Sequence, residues 1–75
     1  MFVKNISGDR LRELRQSRNL SLKDVADALG TSKSTIGNIE RGTKPASLEM
    51  VIKLADFFDV SLDYLVGRSD NPRRR

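Results

Sequence analysis

The side chains of this 75-residue chain that could do chemistry are hydrogen-bond donors and acceptors, not nucleophiles. They concentrate between Ser21 and Gly42, in SLKDVADALGTSKSTIGNIERG. Lys33 offers an ammonium with three donors, Asn38 an amide that donates and accepts, and Ser34 a hydroxyl that does either. Together with Gly37 and Arg41 they fall on the outer side of a short helix expected over 33–41, where only Ile36, Ile39 and Glu40 point inward. Two helix starts, Ser21 to Lys23 and Ser32 to Ser34, present unpaired backbone N–H groups and a positive dipole end that suit an anion. Lys23, Arg41, Thr43 and Lys44 add side-chain donors along the same stretch.

Reaction chemistry finds no comparable set. The chain has no His and no Cys, which removes imidazole bases, thiolate nucleophiles, disulfides and thiolate metal sites. Asp24, Asp27, Asp56, Asp59 and Asp63 lie at helical surface spacings without a clustering motif, and no Gly-rich phosphate loop is present. An enzyme, a metal site and a cofactor are therefore not expected. Charge is unevenly placed: residues 1–44 carry nine Lys and Arg against five Asp and Glu, whereas residues 45–70 carry two against five. The basic half is the half that holds the 21–42 stretch, which favours a polyanion as partner; solvated surface charge is the plainer alternative. No run approaches the roughly 20 apolar residues of a membrane span. The start, MFVKNISGDR, lacks the apolar core of a signal peptide, so a cytoplasmic location is expected.

The positioning elements follow from periodicity. Leu22, Val25, Ala26 and Leu29 recur at i, i+3, i+4 and i+7, which puts them on one face of a helix over 21–29. Ser21 with Asp24 forms a capping box, Gly30 supplies the left-handed end, and Ser32 or Thr31 caps the next helix, which Gly42 stops. An earlier helix starts near Ser7 to Asp9 and runs to about Arg18, with Leu11 and Leu14 buried and Asn19 in a left-handed position. Leu20 is a core residue of the loop that follows. After Pro45, Ser47 caps a helix over 48–58 with a wide apolar stripe of Leu48, Val51, Ile52 and Ala55, flanked by Leu54 and Phe58. Ser61 caps a last short helix, Leu62 to Val66, closed by Gly67. The expected architecture is all-α: one compact five-helix bundle over residues 1–68 with a flexible basic tail over 69–75.

The ordered set of motifs resembles the lambda-repressor/Cro-like (Xre) family of helix-turn-helix transcriptional regulators. The resemblance rests on Leu-x-x-Val-Ala-x-x-Leu-Gly at 22–30, Ser-x-Ser-Thr-Ile at 32–36, Ile39-Glu40-Arg41-Gly42, and LEMVIKLADFFDVSLDYLVG at 48–67. It implies a sequence-specific regulator of double-stranded DNA, a repressor acting as a homodimer on a palindromic operator. In that mode the second helix of the pair enters the major groove and its early residues meet the base edges. The implied base-reading residues are Lys33, Ser34 and Asn38, with Thr35 nearby. Lys33 suits guanine O6 and N7, and Asn38 suits adenine N6 and N7 where it reaches. Implied phosphate contacts are Ser21, Lys23, Ser32, Arg41, Thr43 and Lys44. The second position of the first motif helix, often Gln in relatives, is Leu22, which puts that contact in question. Arg15 and Glu40 match a pair that in relatives ties the reading helix to the first helix, a structural and not a catalytic role. Gly37, worth about 1 kcal/mol less than Ala in a helix interior, marks either a close approach to DNA or a surface position without a selected role.

The expected dimer surface is the last helix and its flanks, around Tyr64, Leu65 and Val66, aided by Phe2 and Val3. Leu62 and Leu65 are also core candidates. Arg73 to Arg75 are either a non-specific phosphate contact or a solvated end. The alternative function is a protein-interaction module on the same scaffold, such as an antitoxin that neutralises a partner toxin. The polar, basic outer side of the 33–41 helix argues against a pure protein binder, because interface centres are poor in Lys and rich in aromatics. No ligand-binding domain for a small molecule is visible.

Overall fold

The computed structural model describes residues 2–3 and 6–73. Five helices follow one another: α1 (Gly8–Ser17), α2 (Leu22–Leu29), α3 (Lys33–Arg41), α4 (Leu48–Phe58) and α5 (Leu62–Leu65). Each has a serine at its N-cap whose hydroxyl accepts a backbone N–H from the first turn: Ser7, Ser21, Ser32, Ser47 and Ser61. Five such caps satisfy donors that the helices cannot satisfy themselves. The reciprocal capping box at Ser21 and Asp24 is formed. Gly30 and Gly42 take φ of 70° and 72°, and Asn19 takes 57°, as the sequence predicts. Asp59, which ends α4 at φ 56°, performs the same task without a glycine.

A two-stranded antiparallel ladder joins β1 (Phe2–Val3) to β2 (Ala46–Ser47), with Phe2 opposite Ser47 and Val3 opposite Ala46. Periodicity could not foresee it, since two residues carry no alternation to detect. The side chains of Phe2 and Val3 lie outside the described set, as do Arg74 and Arg75.

The core is formed by Leu11 of α1, Val25 and Ala26 of α2, Ile36 and Ile39 of α3, Val51, Leu54, Ala55 and Phe58 of α4, and Leu65 of α5, closed by Ala46 and Val60. Leu14, Leu20, Leu22 and Leu29 are half-buried against it. Three expectations are corrected here. Leu48 and Ile52 are exposed and sit at the edge of the α4 stripe, because the arc formed by Val51, Leu54, Ala55 and Phe58 already fills the space beneath α4. Leu62, assigned to the core, is 42% exposed. Leu65, assigned to the dimer surface, is fully buried and cannot present itself to a partner.

Segment 68–72 has no regular structure, as its lack of periodicity implies, yet it is tied down. Arg68 and Ser69 donate backbone N–H groups to Asp63 O at 2.8 and 3.2 Å, and Ser61 donates to Pro72 O at 2.9 Å. Arg10 of α1 donates through Nη1 to Tyr64 O and Ser69 O, pairs with Asp70, and lies 4.4 Å from the Tyr64 ring centre.

Candidate nucleic-acid interface

Helix α3 has two sides that differ in kind. Its inner side carries Ile36 and Ile39 into the core and Glu40 against α1. The Glu40 side chain is only 4% exposed, so its charge requires partners on the spot. Arg15 of α1 provides them: Nε donates to Oε2 at 2.7 Å and Nη2 to Oε1 at 3.1 Å, a two-pronged guanidinium–carboxylate contact. Arg15 Nη1 also donates to Leu20 O at 2.9 Å, which fastens the α1–α2 loop to the same group. The hydrogen bond to Glu40 raises the Arg15 pKa above its ordinary value, more than desolvation lowers it. The expected structural pair is therefore present, and Arg12 joins it with Nε 3.5 Å from Glu40 Oε1.

A second lock went unread in the sequence. A Cβ on Gly8 would lie 2.0 Å from Glu40 O and 2.7 Å from its carbonyl carbon. The start of α1 thus touches the backbone of α3 with no room for a side chain. The available signal was a glycine at the first position of a helix, where local conformation gives no reason for one.

The outer side of α3 and the start of α2 enclose an open recess of about 460 Å³. Lys33, Ser34, Gly37 and Arg41 line it from α3, with Leu22, Lys23 and the cap Ser21 from the α2 side and Arg15 at its base. Lys33 and Ser34 are exposed in the first turn of α3, where the sequence places base-reading groups. Ser21, Lys23, Ser32, Arg41, Thr43 and Lys44, the expected phosphate ligands, are all exposed. Thr35 is half-buried and its hydroxyl lies 2.9 Å from that of Ser32, so it supports the cap as much as it faces outward. Lys23 Nζ lies 2.6 Å from Asp27, and that hydrogen bond raises its pKa, but both side chains are mostly in solvent and the pair is weakly held. Asp24, in the capping box, has its pKa lowered chiefly by the backbone N–H of Ser21.

Asn38 and Gly37 depart from the sequence reading. Asn38 is half-buried, and its amide oxygen accepts from Arg41 Nη2 at 3.0 Å and Thr43 Oγ1 at 3.1 Å. Gly37, placed outside by the periodicity, is buried beneath the guanidinium of Arg41. On α5, Tyr64 and Val66 are half-buried and Leu62 is exposed. Among the described residues no group of His, Cys, Asp and Glu could hold a metal ion, and no helix is long and apolar enough to cross a membrane.

Chemically, the α2–α3 face offers an exposed helix edge of donors with two helix N-termini and several cations. That combination suits a grooved polyanion. Comparison with known proteins agrees. Residues 11–65 match the HTH_3 helix-turn-helix family model. The HTH-type transcriptional regulator AnsR of Bacillus subtilis (strain 168) is 50% identical over 60 residues, covering 80% of this chain and 52% of that protein. ImmR, another HTH-type transcriptional regulator of the same organism, is 32% identical over 63 residues, covering 84% of this chain and 50% of its own. The chain thus spans about half the length of these Bacillus proteins. Among solved structures, the restriction-modification controller protein C.AhdI from Aeromonas hydrophila superposes with a TM-score of 0.72 at 40% identity, covering 77% of this chain and 88% of that one.

Proposed function

The chain belongs to the helix-turn-helix family of DNA-binding transcriptional regulators, and on that premise we propose that it is a repressor which reads a palindromic operator as a homodimer. Helix α3 enters the major groove, Lys33 and Ser34 meet base edges, and Asn38 follows further along the helix. Ser21, Lys23, Ser32, Arg41 and Lys44 contact the phosphates on either side, while Thr43, expected among them, directs its N–H and hydroxyl to Asn38. The observation that carries this reading is the division of α3 itself. Its inner side is fixed by Arg15, Glu40 and Gly8, while its outer side is left to exposed donors.

Dimerisation is supported by size and by surface. Half-sites one helical turn apart lie about 34 Å from centre to centre. The domain measures 27 × 27 × 18 Å between Cα extremes, so two copies fit side by side at that spacing. Leu62, with the half-buried Tyr64 and Val66, is the face proposed to meet the second copy.

Selection from a random duplex library at about 150 mM salt tests the proposal, with wild type compared against Lys33→Ala/Asn38→Ala. The expected result is a palindromic consensus that the double variant loses. Weak binding without consensus, vanishing as salt rises, would reduce the interaction to its sequence-independent phosphate part and end the repressor reading.

A further inference from the structure

We propose that Asn38 is a donor-only reader, set for guanine and not adenine by a clamp formed from Gly37, Arg41 and Thr43. The inference rests on the proposed placement of α3 against base edges and goes further, to which base one residue selects.

The clamp follows from spacing and chemistry. Arg41 lies one turn beyond Gly37 and three residues beyond Asn38, so its side chain can fold back over both. Position 37 has no side chain to crowd it there: a Cβ would lie 3.0 Å from Arg41 Nη1 and 3.4 Å from Nη2, close enough to shift the guanidinium by a few tenths of an ångström. Seated in this way, Nη2 donates to Asn38 Oδ1 at 3.0 Å. Thr43, brought close by its backbone N–H bond to Asn38 O at 3.0 Å, directs Oγ1 to the same oxygen at 3.1 Å. A guanidinium has donors and no acceptor, so the amide atom facing Arg41 must be the oxygen; this fixes the orientation of the amide.

An amide oxygen has two lone pairs: Arg41 takes one, and the other faces the single hydroxyl hydrogen of Thr43, which is shared with Asn38 O at 3.3 Å. Pairing with adenine needs that oxygen to accept from N6 while the nitrogen donates to N7. Clamped, Asn38 retains only the hydrogens on Nδ2. A donor without an acceptor suits guanine, whose major-groove edge carries only acceptors at N7 and O6 where adenine presents the N6 donor. Lys33, also without an acceptor, makes the same demand in the first turn. The α3 edge thus presents donors at Lys33 and at Asn38, the second with Arg41 seated over Gly37.

The test reads base preference position by position in duplexes selected by wild type, Asn38→Ala, and Arg41→Met/Thr43→Val, with helical content checked by circular dichroism. Loss of phosphate contacts in the double variant lowers affinity for all sequences alike, so the preference ratio at one position is insulated from it. Wild type is expected to select guanine at the position that Asn38→Ala randomises. With the clamp removed, preference there should swing toward adenine by about tenfold, the scale of a two-pronged base contact, while the Lys33 position stays unchanged. Adenine selected by wild type, guanine retained in the double variant, or no position affected by Asn38→Ala would each overturn the inference while leaving a DNA reader standing. Absence of any consensus for wild type would overturn the DNA reading itself and this inference with it.

Discussion

The seam between α1 and α3 and the recess between α2 and α3 lie on two sides of one nine-residue helix, and they are built in opposite ways. At the seam the charge is buried, paired twice over and backed by a backbone contact with no slack. At the recess Lys23, Lys33 and Arg41 are exposed, and the Lys23–Asp27 pair lies mostly in solvent. The seam determines where α3 sits; the recess determines what α3 can meet. On the proposed reading, stability and recognition separate by mutation on a single helix.

The largest effect belongs to Glu40→Ala. It leaves Arg15 facing a partly buried space with no counter-charge, at a cost of about 3 kcal/mol in urea unfolding. Arg15→Met/Glu40→Leu should recover most of this loss, because both buried charges are removed together and Arg12, 41% exposed, keeps solvent and Asp9. Gly8→Ala comes next, at about 2 kcal/mol. The sign is the informative part: in an open helix the change would stabilise by roughly 0.5–1 kcal/mol. Here a Cβ 2.0 Å from Glu40 O forces the two helices apart. A stabilised Gly8→Ala protein would mean that α1 and α3 are not in backbone contact.

Smaller effects are expected on the outer side. Lys44→Ala should leave stability within about 0.5 kcal/mol of wild type. It should weaken binding to specific and unrelated duplexes equally, and lower the slope of log affinity against log salt by about 1. The smallest effect is one of pH. Asp24 has a lowered pKa in the folded chain, so its contribution to stability is complete above the ordinary carboxylate value and fades as pH falls through the folded one. Asp24→Asn should therefore flatten the decline in melting temperature below about pH 4 and change little near neutrality.

Approximate helix bounds, the serine caps at Ser21, Ser47 and Ser61, and the left-handed positions at Asn19 and Gly30 are legible in the sequence because each is a local decision with a residue-specific cause; the caps at Ser7 and Ser32 are settled by the structure. The Arg15–Glu40 pair was legible through the resemblance. What local pattern could not supply was lateral: Gly8 against Glu40, Arg12 as a second cation, and Arg10 holding segment 68–72. Each joins parts of the chain that no window of periodicity contains. Leu62 and Leu65 show the same limit in miniature. Both are leucines on a four-residue helix, and only the position of α4 and α1 decides that one is buried and the other exposed. Asn38 was seen as a reading group, but its clamped oxygen depends on Arg41 folding over Gly37, a side-chain conformation that no residue pattern specifies.

On the proposed reading, the outer edge of α3 selects base sequence, while the cations and helix N-termini around it hold phosphates without selecting. The most direct measurement is the ratio of affinities for the selected duplex and an unrelated duplex, for wild type and Lys33→Ala at the same salt concentration. Loss of a base contact should lower that ratio about tenfold with unfolding free energy unchanged. A ratio that stays constant while both affinities fall together would make Lys33 a phosphate ligand and contradict the claim.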